Sequence, residues 1–438
     1  MASTANPLPR PGAGAPSAFE EATYRKVAWR LSPLLLICYV VAYLDRVNVG
    51  FAKLQMSTDL GLSDAVYGFG AGIFFFGYFI FEIPSNVILH KVGARVWIAR
   101  IMITWGIISA LTMFITTPTM FYVMRFLLGV AEAGFFPGII LYLTYWYPAH
   151  RRGRMTTLFM TAIALSGLIG GPVSGWIMKN FDGTNNWHGW QWLLLLEGIP
   201  SIVVGILVLI MLDDRIAKAK WLTAEERDLL ERNIVADNVE KEDMPIGKIL
   251  SSPRVWLMSL IYFSFVMGLY GVSFWLPTII KATGVTDALS IGLLSAIPYG
   301  AAVVAMLLVA RSADRRGERR WHIAIPALVG SIGLVLSVIW ANNTPLAMLG
   351  LTLGTMGILT TLPLFWSLPT AFLAGTGAAA GIAMINSLGN LAGFLSPYLV
   401  GWLKQVTASN SSGMYMLSGF LILGALLVLS VPARTVNR

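Results

Sequence analysis

Charge is scarce in this chain. Of its 438 residues only 12% are Asp, Glu, Lys or Arg, against roughly 25% in ordinary soluble domains, and residues 321–403 contain none at all. With 56% hydrophobic residues and a mean hydropathy of +0.70, this scarcity excludes a water-soluble globule. Cysteine is scarcer still. The lone Cys38 excludes an intramolecular disulfide and offers no thiol-based metal or redox site. The four histidines, His90, His150, His188 and His322, are scattered over loops and helix ends on different segments. Neither a nucleophile with its base nor a metal-ligand cluster is visible, so the chain does not read as an enzyme, and no cofactor or metal is implied.

What the chain has instead is long uncharged runs. A membrane-crossing helix needs about 20 apolar residues, and runs free of charge at 101–124, 155–178, 255–280, 288–310 and 405–433 meet that length. Turn signals at "ANNTP" (341–345) and "LAGTGAAAG" (373–381) divide the long neutral region into three helices. The expectation is an all-α membrane protein with twelve transmembrane helices. They fall near 29–52, 67–90, 96–115, 119–147, 155–178, 191–212, 255–280, 288–310, 321–340, 345–372, 377–403 and 413–433.

Basic residues set the orientation. With both termini cytoplasmic, the outer loops hold Lys53, Lys179, Lys281 and Lys404, Arg46 and Arg125 are embedded, and every other Lys and Arg lies inside. The +9 net charge is therefore a topology signal, and its clusters "HRRGR" (150–154) and "RRGERR" (315–320) face lipid phosphates, not nucleic acid. The Pro-, Ala- and Gly-rich start reads as a disordered tail over 1–24 and not as a signal peptide. Residues 25–212 form a first six-helix half and 255–434 a second. Between them, 213–254 read as a cytoplasmic linker in which "TAEE" (223–226) is a capping box opening an amphipathic surface helix.

The halves echo one another. "NVILHKVGAR" (86–95) and "ARSADRRGER" (310–319) stand between the second and third helix of each half. Such repeats are a transporter signature, with the substrate site at mid-depth between halves. The second turn resembles the Gly-x-x-x-Asp-Arg-x-Gly-Arg-Arg loop of the major facilitator superfamily, carried here by Asp314, Arg315, Gly317 and Arg319, a gating and structural element. The first copy departs from it at Asn86, His90 and Lys91. More narrowly, "YLDRVNVGFA" in helix one, "RFLLGVAEAGFFPG" (125–138) in helix four and "INSLGNLAGFLSPYLVGWL" (385–403) in helix eleven resemble the anion:cation symporter family. That family includes bacterial carriers for tartrate, phthalate, galactonate and hydroxyphenylacetate. The resemblance implies a major facilitator fold in the bacterial inner membrane, functional as a monomer.

Embedded charge falls wholly in the first half: Asp45, Arg46, Glu82, Arg125, Glu132 and Glu197. A charge at the bilayer centre costs roughly 2.5–3.5 kcal/mol on insertion scales, so these residues face the bundle interior or a wet cavity. Arg125 and Glu132, seven apart, share one face of helix four, with Gly129 between them leaving room for a ligand or a neighbouring helix. Adjacent Asp45 and Arg46 diverge by about 100°, and each can meet an opposite charge on helix four. The expectation is a nearly neutral cluster in which Arg46 and Arg125 bind an organic anion. Arginine suits this because its fork grips a carboxylate and keeps its charge. A displaced carboxylate, Asp45 or Glu132, then takes up a proton. In the resembling family the positions of Asp45 and Glu132 are implicated in proton coupling and those of Arg46 and Arg125 in anion binding. The open alternative is that Arg125 and Glu132 merely tie two helices.

Glu82 is expected to pair with a basic loop residue in a gating role, and Glu197 to sit interfacially or tie helices. Tyr43, Tyr78 and Tyr270 supply phenols, Trp366 and Ser367 lie between Pro363 and Pro369, and Asn386 and Asn390 share a face of helix eleven. All except the two prolines are candidate substrate contacts. The functional expectation is a secondary active transporter, a proton-coupled importer of a carboxylate such as a hydroxy-dicarboxylate, sugar acid or aromatic acid. A proton-driven exporter of the same fold and an inorganic anion carrier stay open.

Overall fold

The computed structural model describes residues 17–239, 247, 251–370 and 375–436. Helices α1 (Ala18–Val47) and α2 (Val49–Asp59) make one rod joined at Asn48. They are followed by α3 (Asp64–Val92), α4 (Ala94–Leu111), α5 (Pro118–Glu132), α6 (Phe135–Thr144), α7 (Ala149–Phe181) and α8 (Gly189–Met211). After α9 (Ala224–Val239) come α10 (Pro253–Ala282), α11 (Ala288–Arg316), α12 (Arg320–Ile339), α13 (Thr344–Phe365), the short α14 (Ser367–Thr370), α15 (Gly375–Thr407), α16 (Ser411–Ser430) and α17 (Ala433–Val436). Eleven spans among the described residues are long and apolar enough to cross a membrane. The 33-residue α15 is the twelfth long helix. Every expected transmembrane segment coincides with one of these twelve, most of them extending beyond the expected ends.

Local chemistry explains several of the boundaries. Ser17 caps α1 by accepting from the Glu20 N–H at 3.1 Å, and Glu20 and Glu21 put negative charge where the helix dipole favours it. The expected tail is accordingly too long: 18–24 are helix, and Arg151 of α7 clamps them by pairing with Glu20 (3.1 Å) and Glu21 (2.7 Å). Residues 1–16 lie outside the described residues. Helix four is not continuous. It stops at Glu132 and resumes at Phe135 across Gly134, whose φ of +82° is a conformation glycine adopts without penalty. Helix ten breaks likewise at Trp366 between its two prolines.

The halves meet along two seams, α3 against α15 and α7 against α11, and α2 also touches α10. At the outer ends ion pairs bind the seams. Asp64, at the start of α3, accepts from Lys53 of its own half (2.7 Å) and from Lys404 of the other (3.0 Å). Lys179 pairs with Asp287 at 3.0 Å across the second seam. Lys53 and Lys404 both also lie over the Trp275 ring, at 4.7 and 5.5 Å. On the inner side the expected capping box is present, with Thr223 Oγ1 accepting from the Glu226 N–H (3.2 Å) and Glu226 accepting from the Thr223 N–H (2.8 Å). The helix it opens docks on the first half. Lys26 pairs with Glu226 at 2.7 Å, Asn233 donates to Tyr24 at 3.2 Å, and Trp221 stacks on Trp146 at 5.9 Å.

Candidate substrate-binding site

The rod α1–α2, α3 and α5 of the first half and α10 of the second converge on Arg46. Its guanidinium pairs with the Glu132 carboxylate and donates through Nη1 to the Tyr270 hydroxyl of α10 at 2.8 Å. Four rings surround it: Phe74 at 5.3 Å, Tyr43 and Tyr78 at 5.7 Å and Phe75 at 5.9 Å. Such faces stabilise a cation by about 0.5–2 kcal/mol each. Tyr43 continues the network across the halves, its hydroxyl 3.3 Å from Ser273 Oγ, to which Tyr299 donates at the same distance.

Arg125 lies beside this pair, only 2% exposed. Its Nη2 reaches the backbone oxygens of Ala71 (3.3 Å) and Arg46 (3.4 Å), and Phe74 and Phe274 flank it at 5.1 and 5.9 Å. No carboxylate pairs with it among the described residues. The Nε atoms of both arginines are buried without a partner. A buried donor left unpaired costs about 1–3 kcal/mol, so both guanidinium edges could take a further partner. Gly129 is indispensable to this placement: a Cβ there would lie 1.9 Å from the Phe74 carbonyl oxygen. The space that glycine leaves is thus taken by α3, not by a ligand.

Asp45 does not join the cluster. It turns into the interior of the first half, where it accepts from Trp105 Nε1 (2.8 Å), Ser109 Oγ (3.0 Å) and Ser201 Oγ. Of the two expected carboxylates only Glu132 stands among the arginines, so the cluster carries two cations and one anion rather than being nearly neutral. The contacts that the helix-tying alternative calls for are present as well: Glu132 pairs with Arg46 and Arg125 Nη2 donates to the Arg46 carbonyl, both joining helix four to helix one.

The remaining candidates divide. Asn386 donates to Glu82 Oε1 at 3.2 Å, and Asn390, a turn along α15, lies beside the same carboxylate. Glu82 therefore engages the opposite half instead of a basic loop residue, one turn inward of Tyr78. Ser367 Oγ is spent on the Leu364 carbonyl at 2.6 Å, and Trp366 packs on Tyr262 at 5.0 Å. In the inner loop Arg319 pairs with Asp314 at 2.7 Å around Gly317, whose φ is +60°. That pair and Arg315 lie within the second half. In the first copy the backbone N–H of Arg95 donates to Asp214 at 2.9 Å, which ties the turn to the segment after helix six. Glu197 is buried and not interfacial, with Ser174 donating to it at 2.7 Å. Phe74, Phe75, Ser273 and Tyr299 were not singled out from sequence; the nearest signal was the aromatic run "FFFGYF" in helix two.

Comparison with known proteins places this architecture. The sequence profile of the Major Facilitator Superfamily matches residues 35–397. Among similar chains, a protein of Agrobacterium vitis named as a candidate tartrate transporter is 47% identical, covering 96% of this chain and 95% of that one. A quinolone resistance transporter of Acinetobacter baumannii is 41% identical over 95% and 96%. The inner membrane transport protein RhmT of Escherichia coli is 34% identical, again over 95% and 96%. Among solved structures, a D-xylose-proton symporter superposes with a TM-score of 0.72 at 17% identity, covering 92% of this chain and 98% of that one. A bacterial homologue of the human lysosomal transporter Spinster, inward-facing, gives 0.71 at 15% identity over 94% and 97%. The chain belongs to the Major Facilitator Superfamily: it is a twelve-helix, multi-pass membrane transporter of the bacterial inner membrane, and not an enzyme.

Proposed function

We propose that the protein imports an organic anion, a carboxylate of the hydroxy-dicarboxylate, sugar-acid or aromatic-acid class, together with protons. The observation that carries this reading is the position of Arg46. It is buried where the halves meet, and it holds a carboxylate of one half and a phenol of the other. A substrate carboxylate takes the place of Glu132 on this fork, using the vacant Nε edges of Arg46 and Arg125. Glu132, displaced from its cation in a dry site, then takes a proton, because an unpaired buried carboxylate is far more costly than a neutral acid. The surrounding rings favour a substrate that carries a hydroxylated or aromatic body, and the relatives named for tartrate fit the hydroxy-acid case. Alternating access follows from release of the Arg46–Tyr270 and Asp64–Lys404 ties, which join the halves.

The test is uptake of labelled acids into proteoliposomes with and without an inward proton gradient. Accumulation driven by the gradient supports the reading, and gradient-independent equilibration of every acid tested refutes the coupling.

A second reading has one observation in its favour, the 41% identity to a quinolone resistance transporter. Quinolones are themselves ring-bearing carboxylic acids, so the same arginines would serve. In that case the proton gradient drives efflux, and the same vesicles loaded with quinolone discriminate the two directions.

A further inference from the structure

Behind Asp45, toward the outer face, a second carboxylate stands in the interior of the first half. Glu197 of α8 is 5% exposed. Ser174 of α7 donates to its Oε1 at 2.7 Å, while its Oε2 has no hydrogen-bond partner. Next to it lies Asn48, at the junction of α1 and α2. Asn48 is 1% exposed, and its side-chain amide stands within reach of the Glu197 carboxylate. Asn48 comes three residues after Asp45, and Ser201, which donates to Asp45, comes four after Glu197. Each pair therefore shares a helix face, and the two carboxylates face one polar pocket between α1, α4, α7 and α8.

Among the described residues, the elements packed around Glu197 bring no cation to it. α4 offers Ser109 and α7 offers Ser174, while Lys179 at the end of α7 is engaged with Asp287 and Lys53 of α2 with Asp64. Burial of two carboxylates close together, with no cation paired to either among the described residues, disfavours ionising both. Asp45, with three donors aimed at it, is equipped to carry the negative charge. Glu197, with Ser174 and the Asn48 amide as its neighbours against three donors on Asp45, is the one equipped to be the neutral acid.

We infer that Glu197 is a second proton-holding residue, paired with Asp45 and set between it and the outer face. This rests on the proton-coupled reading above. Passing the proton on breaks one O–H bond at Glu197 and forms one at Asp45, with no other bond changed, and the Asn48 amide is at hand to donate to the ionised Glu197. Glu197 touches neither Arg46 nor Arg125, so it is a positioning and proton-storing group and not a substrate contact.

The experiment is made on the full-length carrier in liposomes. Protons moved per anion are read with an entrapped pH dye, anion counterflow is measured without a gradient, and an infrared difference spectrum reads the carboxylic-acid C=O stretch. Glu197→Gln is expected to keep counterflow, to lower the protons moved per anion and to lose one C=O band. Ser174→Ala keeps the acid and is expected to shift that band. An unchanged proton count together with an unchanged spectrum in Glu197→Gln overturns the inference, as does a band that Ser174→Ala leaves unmoved. If the wild-type carrier moves no protons with its anion, the coupling reading falls instead, and the infrared band alone decides whether Glu197 stores a proton.

Discussion

Asp45 and Arg46 are consecutive residues that serve different rooms: Arg46 points to the seam between halves, where it meets Glu132 and Tyr270, while Asp45 points inward to Trp105, Ser109 and Ser201. One helix position thus separates the arginine proposed to bind the anion from a carboxylate held by neutral donors.

Arg46→Ala removes two charge-assisted contacts and strands Glu132. At about 1.5–3 kcal/mol for a hydrogen bond to a charged group, substrate affinity is expected to fall on the order of ten- to a hundredfold, with tenfold for each 1.4 kcal/mol. Arg46→Lys keeps the charge but loses the fork, so it restores little. Binding calorimetry on purified carrier checks both.

Glu132→Gln and Asp45→Asn are expected to differ. Glutamine at 132 imitates the protonated acid, so exchange of substrate persists while gradient-driven accumulation is lost. Asparagine at 45 puts an NH2 group among three donors, an unsatisfied arrangement costing about 1–3 kcal/mol, so the melting temperature falls as well as transport. Counterflow and thermal denaturation in detergent, measured side by side, separate the two effects.

Gly129→Leu is expected to abolish folding or transport outright, because even a Cβ meets the Phe74 carbonyl at 1.9 Å. Expression level and monodispersity in detergent report it. Gly61, in the outer loop after α2 where nothing lies within 4 Å of a Cβ, controls for substituting a glycine without a packing clash, its positive φ of +63° adding only local strain.

Asp64→Asn weakens the ties to Lys53 and Lys404. Ion pairs of this partly exposed kind contribute up to about 1 kcal/mol each, enough to shift a two-state equilibrium by roughly fivefold. Spin-label distances between the outer ends of α3 and α15 are expected to gain a longer population, and an unaltered distribution would show the latch to be idle.

Outside the membrane, Glu226 offers a pH effect. Slight burial pushes its carboxyl up, but Lys26 and the Thr223 N–H outweigh this and hold it below the ordinary value. A carboxyl so depressed contributes stability above its unfolded pKa, about 4.3, and loses it as pH falls through the folded value. Docking of α9 is therefore expected to be full at neutral pH and to loosen in acid, with Lys26→Ala removing most of that dependence. Hydrogen exchange of α9 across pH measures it.

The fold was legible because membrane helices announce themselves one at a time: each must be apolar along its length, and the basic residues then orient the set. Arg46, Arg125 and Glu132 were legible for the converse reason, since charge inside an apolar run demands partners. What the sequence could not display is rotation about a helix axis. The 100° between Asp45 and Arg46 was readable, but which neighbour each would meet depended on α4 and α8, whose serines and tryptophan look like ordinary polar interruptions. The partner of Asn386 was hidden for a similar reason: Glu82 is 304 residues away, brought near only when α3 and α15 form a seam. The helix start at Ala18 was hidden by the Pro- and Gly-rich residues just before it.

The latch at the outer face has one acid and two bases. When the lobes part there, Asp64 can follow only one of its lysines, and the other is left facing the widening mouth beside Trp275. The gateway therefore presents an unpaired positive charge as it opens, which, on the proposed function, draws an anion in at the moment there is room for it and repels a cation of the same size at the threshold.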